Sequence, residues 1–201
     1  MSQSDSGWSV PNPANKTSSI EYGDEKEIEF VTHIAPLLEI DAIINPEKKT
    51  DSTVIDLLVE GELCDLKTRR TPYYHADSKY GIDSQYAVTF NKNKFERYQK
   101  YNDNILLLFW VNWEKLKDYG VTLDKMSGIW ITSVKEVKEI YIQEKEAPIH
   151  EYTYRNEYDN HANKSYVLDL RWMTPITTIM NGLYKKEPDE KVISEYIDNW
   201  C

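Results

Sequence analysis

The sequence predicts a mixed α/β (α+β) fold, a central mixed β-sheet flanked by helices, on three observations. Apolar residues recur at helical spacing between Glu21 and Leu38, two strand-like runs flank a Glu-Gly turn, and a dense apolar run, Ile105–Val111, follows a second helical stretch. In the first of these, Phe30, Val31, Ile34, Leu37 and Leu38 share one stripe, and Pro36 is expected to kink or stop the helix. Asn45–Thr50 is a polar loop, and Ser52–Val59 and Glu62–Thr68 are strands joined at Glu60-Gly61. Arg69–Asp83 is a polar, Tyr-rich loop, Gln85–Phe90 alternates as a strand, Lys92–Tyr101 is a short helix, and Ile105–Trp113 is dense enough for a buried central strand. Gly128–Ser133 is another strand, Val134–Ile142 a helix, Ala147–Tyr166 polar and irregular, Ser165–Leu170 a late strand and Lys191–Trp200 a terminal helix. Residues 1–20 read as a flexible arm. One domain is expected over 21–201, with its core at about 21–142 and a C-terminal elaboration over about 143–201.

Composition narrows the function classes. With 24 Lys+Arg against 34 Asp+Glu, the net charge of −10 excludes an overall basic coat, though not a local basic patch. Fifteen Tyr, six Trp and four Phe supply enough large apolar surface to exclude wholesale disorder. Cys64 and Cys201 cannot make a disulfide framework, which points to a reducing compartment. No run spans a bilayer, and Met1–Val10 lacks the blocks of a signal peptide, so a cytoplasmic protein without membrane contact is expected. His33, His75, His150 and His161 lack zinc spacing, and neither a Gly-rich phosphate loop nor a serine-nucleophile elbow is present. His150 and His161 share a polar stretch with Arg155, where substrate contact has no support from spacing.

The chemistry concentrates on the hairpin. If Glu60 and Gly61 are the turn, Val59 pairs with Glu62, Leu58 with Leu63, Leu57 with Cys64 and Asp56 with Asp65. Two carboxylates then oppose each other with Cβ atoms roughly 4.5–5.5 Å apart. Lys67, two residues on, projects from the same face as Asp65. Such carboxylates repel unless a cation lies between them, and Mg²⁺ takes a few carboxylate oxygens while retaining waters. The Lys67 ammonium could orient a water and stabilise charge on a phosphate. Ile55, Leu57, Cys64 and Leu66 are apolar and suit the core on the opposite face. An Asp-x-Lys strand also suits a simple surface ion pair.

Asp56-Leu57-Leu58-Val59, a short turn, and Asp65-Leu66-Lys67 resemble the signature of the PD-(D/E)XK, or restriction endonuclease-like, nuclease superfamily. The resemblance covers about residues 21–113 and implies a core of order αβββαβ, with Gln85–Phe90 as its third strand. It implies that Asp56 and Asp65, with the Leu66 carbonyl, hold Mg²⁺ (Mn²⁺ substituting) and that Lys67 is the catalytic lysine. Ile55 stands where the family name has proline. Asp51 is the rival for the first aspartate, although on a regular strand it would face away from Asp56.

Many members add a glutamate from the first helix. Glu27 fits, lying on the stripe of Phe30, Val31, Ile34 and Leu38, though acidic residues also favour a first helical turn for its dipole. Arg69 and Arg70 are candidate substrate contacts or a solvated strand end. Gln85 either completes the site or caps its strand. Between Leu66 and Lys100 eight basic residues face three acidic ones, with Tyr73, Tyr74 and Tyr80 interleaved, which suits a nucleic-acid backbone as well as a solvated face. Two functions therefore compete: a Mg²⁺-dependent DNA endonuclease, of restriction type or directed to a junction, repair or phage substrate and expected to be a homodimer, and a non-catalytic nucleic-acid- or protein-binding module on the same scaffold.

Overall fold

The computed structural model describes residues 16–51, 53–101, 104–152, 164–189 and 191–199. The described residues open with α1 (Lys16–Glu29), which passes through a π-helical turn, Phe30–Ile34, into α2 (Ala35–Leu37). Pro36 therefore does not end the helix at once. The Ala35 N–H reaches back to the Phe30 carbonyl, a wider turn that brings the chain past a residue with no N–H of its own. β1 (Ala42–Ile44), β2 (Leu57–Val59) and β3 (Glu62–Arg69) follow, then α3 (Ala76–Tyr80), β4 (Ala87–Asn91), α4 (Lys92–Tyr101) and β5 (Leu106–Asn112). The second half adds β6 (Lys117–Asp118), β7 (Val121–Thr122), β8 (Met126–Ser133), α5 (Val134–Glu136) with a π-helical continuation, and β9 (Ile149–Glu151). β10 (Lys164–Asp169), β11 (Thr174–Met180), β12 (Leu183–Lys186) and α6 (Lys191–Asp198) close the described chain.

Seven strands form one mixed sheet in the order β1-β2-β3-β5-β8-β11-β12, in which only β3 and β5 run parallel. That parallel step is made by the crossover through α4, as a parallel pair requires. Central placement explains why the run Ile105–Val111 is dense in apolar residues: both of its faces are covered. Leu106 and Leu108 join Leu57, Cys64, Leu66, Phe30 and Ile193 on the α1 and α6 side. Leu107, Phe109 and Val111 meet Val88, Phe90, Phe95 and Tyr98 on the α4 side. The helix-flanked mixed sheet thus matches the predicted fold class.

Several boundaries differ from those predicted. β4 does not enter the central sheet but pairs with β10, which pairs with β9, in a three-stranded sheet packed over the α4 side. The third core strand is instead β1, which lies in a stretch too short to show alternation. The Ser52–Val59 strand is reduced to Leu57–Val59, and Ile55, in irregular backbone ahead of it, packs on the α4 side rather than with Leu57. α1 starts at Lys16, inside the expected arm, and α3 lies inside the expected loop 69–83. The C-terminal elaboration supplies two strands of the main sheet, so it is integral to the core. Trp8, Arg155, His161 and Cys201 lie outside the described residues; Cys64 is a buried free thiol. Among the described residues no helix is long and apolar enough to cross a membrane.

Candidate active site

The turn between β2 and β3 sets the site. Glu60 and Gly61 take φ of 51° and 83°, the paired positive values that a two-residue hairpin turn needs. The register is Leu57 with Cys64, Leu58 with Leu63 and Val59 with Glu62. Asp56 is one residue short of β2, and its carbonyl accepts from the Asn45 N–H at 3.0 Å, so the chain there is still held against the segment that follows β1. Continued by one step, the register puts Asp56 opposite Asp65, and each carboxyl group shifts the proton affinity of the other. Alternation along β3 sends Cys64 and Leu66 into the α1-side core and turns Asp65 and Lys67 toward α4.

Asp65 has no solvent exposure at all. Its Oδ1 receives the Lys94 ammonium at 3.0 Å, and its Oδ2 touches Lys67 as an ion pair without an aligned hydrogen bond. A second hub lies across Asp56: Lys48 Nζ stands 2.5 Å from Glu27 Oε2 and 3.5 Å from both Asp56 Oδ1 and Asp24 Oδ1. Lys94 also approaches Asp56 Oδ2 at 3.8 Å. Four carboxylates and three ammonium groups are therefore linked around one end of β3.

Their proton affinities follow from that crowding. Burial, then the adjoining carboxyl of Asp65 and its charge, push Asp56 up to about 7. Burial acts in the same sense on Asp65, but Lys67 and Lys94 overcome it and hold Asp65 well below the usual carboxylate range. Between those two limits the pair carries one proton, as adjacent carboxyls do. Burial also brings Lys67 down to about 8, assisted by the charge of Lys94 and opposed by Asp65. Lys94 is half-buried, which lowers its proton affinity, yet Asp65 and Asp56 more than offset this and raise it. Glu27 is raised by burial, against the pull of Lys48.

The structure thus gathers Glu27, Asp56, Asp65 and Lys67 and adds Lys48 and Lys94, which sequence reasoning missed. Lys94 carried a signal: it shares the buried face of α4 with Phe95 and Tyr98, an odd position for a lysine. Lys48 carried none, because it sits in the 3₁₀ turn Pro46–Lys49. Oxygens of Asp56 and Asp65 could hold a divalent cation; Leu66 sits between Asp65 and Lys67 on the strand, paired with Leu108. Among the described residues no group of three or more His, Cys, Asp or Glu has metal-holding geometry.

Other candidates lie elsewhere. Asp51 is off the strand and bonds the N–H and hydroxyl of Thr53, which leaves Asp56 as the carboxylate facing Asp65. Gln85 uses both ends of its amide on the Asp124 backbone and its carbonyl on Trp113 Nε1, so it clamps two loops. Arg70 pairs with Glu114 at 3.1 Å and stacks on Tyr22. Arg69 lies on the same face as Lys67 and donates to the Thr68 and Thr89 carbonyls at 2.9 and 2.8 Å. Compared with protein-family models, with curated proteins and with solved structures, the chain matches none.

Proposed function

We propose that this chain is a Mg²⁺-dependent endonuclease that hydrolyses DNA phosphodiester bonds, of restriction type, with Asp56, Asp65 and Lys67 at its centre. The observation that carries the reading is the buried meeting of two carboxyls with a lysine of lowered proton affinity. Perturbed titratable groups gathered at one spot are what acid–base chemistry needs. The helix–β1–β2–β3–α4–β5 order around the hairpin supports it further, since it reproduces αβββαβ once α3 and β4 are counted as an insertion.

The residues fit a cation of modest protein coordination. Asp65 Oδ2 is buried without an aligned hydrogen bond, and two carboxylates suit Mg²⁺, which keeps several of its waters. Asp56, Asp65 and the Leu66 carbonyl would hold it, and there it would neutralise charge on a phosphate oxygen. Lys67, fixed against Asp65, orients the attacking water and holds or releases a proton near neutral pH. Lys94 and Lys48 fill the same electrostatic role in the metal-free protein, and Lys94 must move from Asp65 when a cation arrives. Glu27 adjusts the charge of Asp56 through Lys48. Cutting both strands calls for two such sites, hence a homodimer; a monomeric mass by light scattering counts against that part.

One observation favours a second reading, a binding module without catalysis: the three ammonium groups already balance most of the acidic charge. Calorimetric titration with Mn²⁺ separates the two. The nuclease reading expects binding that Asp56→Asn and Asp65→Asn each weaken at least tenfold. Absence of binding, or binding indifferent to both changes, favours the module.

A further inference from the structure

Beyond Lys67, β3 ends in a cavity that the site above does not use. It measures about 180 Å³ and lies between β3 and β4, lined by Arg69, Thr89, Trp113, Tyr73 and Tyr152, among others. At its floor Arg69 is immobilised by two backbone carbonyls, Thr68 and Thr89. Among the described residues no carboxylate lies within ion-pair distance of it. A largely shielded guanidinium without a counter-charge is costly unless an anion completes it, and two bonds leave several of its five N–H donors open.

The walls are aromatic and already braced. Tyr73 donates to, or accepts from, His150 Nδ1 at 2.9 Å and lies 5.0 Å from its ring. Tyr152 packs edge-on against the same imidazole at 4.5 Å while remaining 39% exposed at the rim. Trp113 is fixed by its bond to Gln85. A rigid cation flanked by rigid rings recognises a ligand that is both anionic and planar.

Position along β3 narrows the ligand. Arg69 is two residues from Lys67 on the same face, roughly 7 Å along the strand, the span of one to two nucleotides. We propose that this cavity is a nucleotide subsite, in which Arg69 binds the phosphate and Tyr73 and Tyr152 hold the base of an unpaired nucleotide next to the scissile bond. The proposal rests on the nuclease reading and deepens it. A paired base cannot enter a cavity without leaving its stack, so the substrate class is DNA with an unpaired or easily extruded nucleotide beside the cut.

The test is fluorescence titration of the full chain in EDTA, where no cleavage can intervene, with dTMP, thymidine and inorganic phosphate as probes. dTMP is expected to bind at least tenfold more tightly than either fragment. Tyr152→Ala, a change at an exposed rim, should weaken dTMP about tenfold and leave phosphate unchanged, and Tyr152→Phe should restore it. Arg69→Gln should weaken dTMP and phosphate together. Equal affinity for phosphate and dTMP, or a Tyr152→Ala protein that binds dTMP like the wild type, overturns the proposal. Cleavage of DNA by a protein that does not bind dTMP sinks the subsite alone; dTMP binding by a protein that cleaves nothing sinks the nuclease reading alone.

Discussion

Asp65 is the most constrained side chain of the cluster, fully buried and flanked by two ammonium groups. Breaking such a buried arrangement by deleting one partner usually costs about 3–5 kcal/mol, because the remaining charge is stranded. Lys94 differs from Lys67 in this respect: it reaches Asp65 from α4, with part of its length open to solvent, and it can withdraw. If it competes with a cation for Asp65, Lys94→Met should bind Mn²⁺ about tenfold more tightly than the wild type by calorimetry, since a like charge about 3–4 Å from the ion is removed. Unchanged or weaker binding would contradict the competition. Lys67, by contrast, is largely covered beside Asp65 on a rigid strand, which suits a group that must hold one position.

At the scale of elements, the contact between β8 and β11 leaves no tolerance. A Cβ on Gly128 would lie 2.5 Å from the Thr177 carbonyl oxygen and 2.8 Å from the Trp130 ring, beside the irregularity in register at Pro175–Thr177. Gly128→Ala is therefore expected to destabilise the protein by about 1–3 kcal/mol in urea denaturation; a neutral result would show that the two strands can separate locally. The neighbouring pair, β11 and β12, shows where sequence reading stopped. Asn181-Gly182, the strongest of the short hairpin signals, joins β11 to β12 with φ of 50° and 79°, but the strands beside it mix Thr, Pro and Lys and show no clean alternation. β5 was legible because both of its faces are buried, and the β2–β3 register because a two-residue turn fixes it. β1, three residues long, had too little length to carry a period. β4 was legible as a strand, but nothing local tells a strand which sheet it joins; Gln85, read as a site residue, is committed to Asp124, 39 residues away. Asp56, Asp65, Lys67 and Glu27 came from the hairpin and the helix stripe; Lys48 enters only through tertiary packing, and Lys94 was marked by nothing but its odd place on the apolar face of α4.

For the whole molecule, the cluster makes stability depend on pH in an unusual sense. Asp56 is raised from 3.8 to about 7, so the folded chain holds a proton that the unfolded chain loses above about pH 4. Its contribution is complete below that value and is lost as pH rises to about 7; Glu27, also raised, acts in the same direction. Lys67 is lowered from 10.5 to about 8, so its burial penalty is relieved as pH rises beyond 8. Asp65, held low, contributes stability that is complete above about pH 4 and is lost as pH falls below that value. Between pH 5 and 9 the metal-free protein should thus be least stable near pH 7–8, with a slope from this pair of at most about 1.4 kcal/mol per pH unit. Urea midpoints at pH 5, 7.5 and 9 read this directly, and Asp56→Asn should flatten the descent between 5 and 7.5. A midpoint that rises steadily from pH 5 to 7.5 would contradict the assignment of the shared proton.

Whether the carboxyl pair and Lys67 cut DNA is read from digestion of supercoiled plasmid with Mg²⁺, with EDTA and Lys67→Ala as controls. Discrete fragments that require the metal and vanish in the Lys67→Ala protein are the predicted result. No cleavage of duplex, single-stranded or branched DNA with any divalent metal, or full activity in the Lys67→Ala protein, would contradict the nuclease reading.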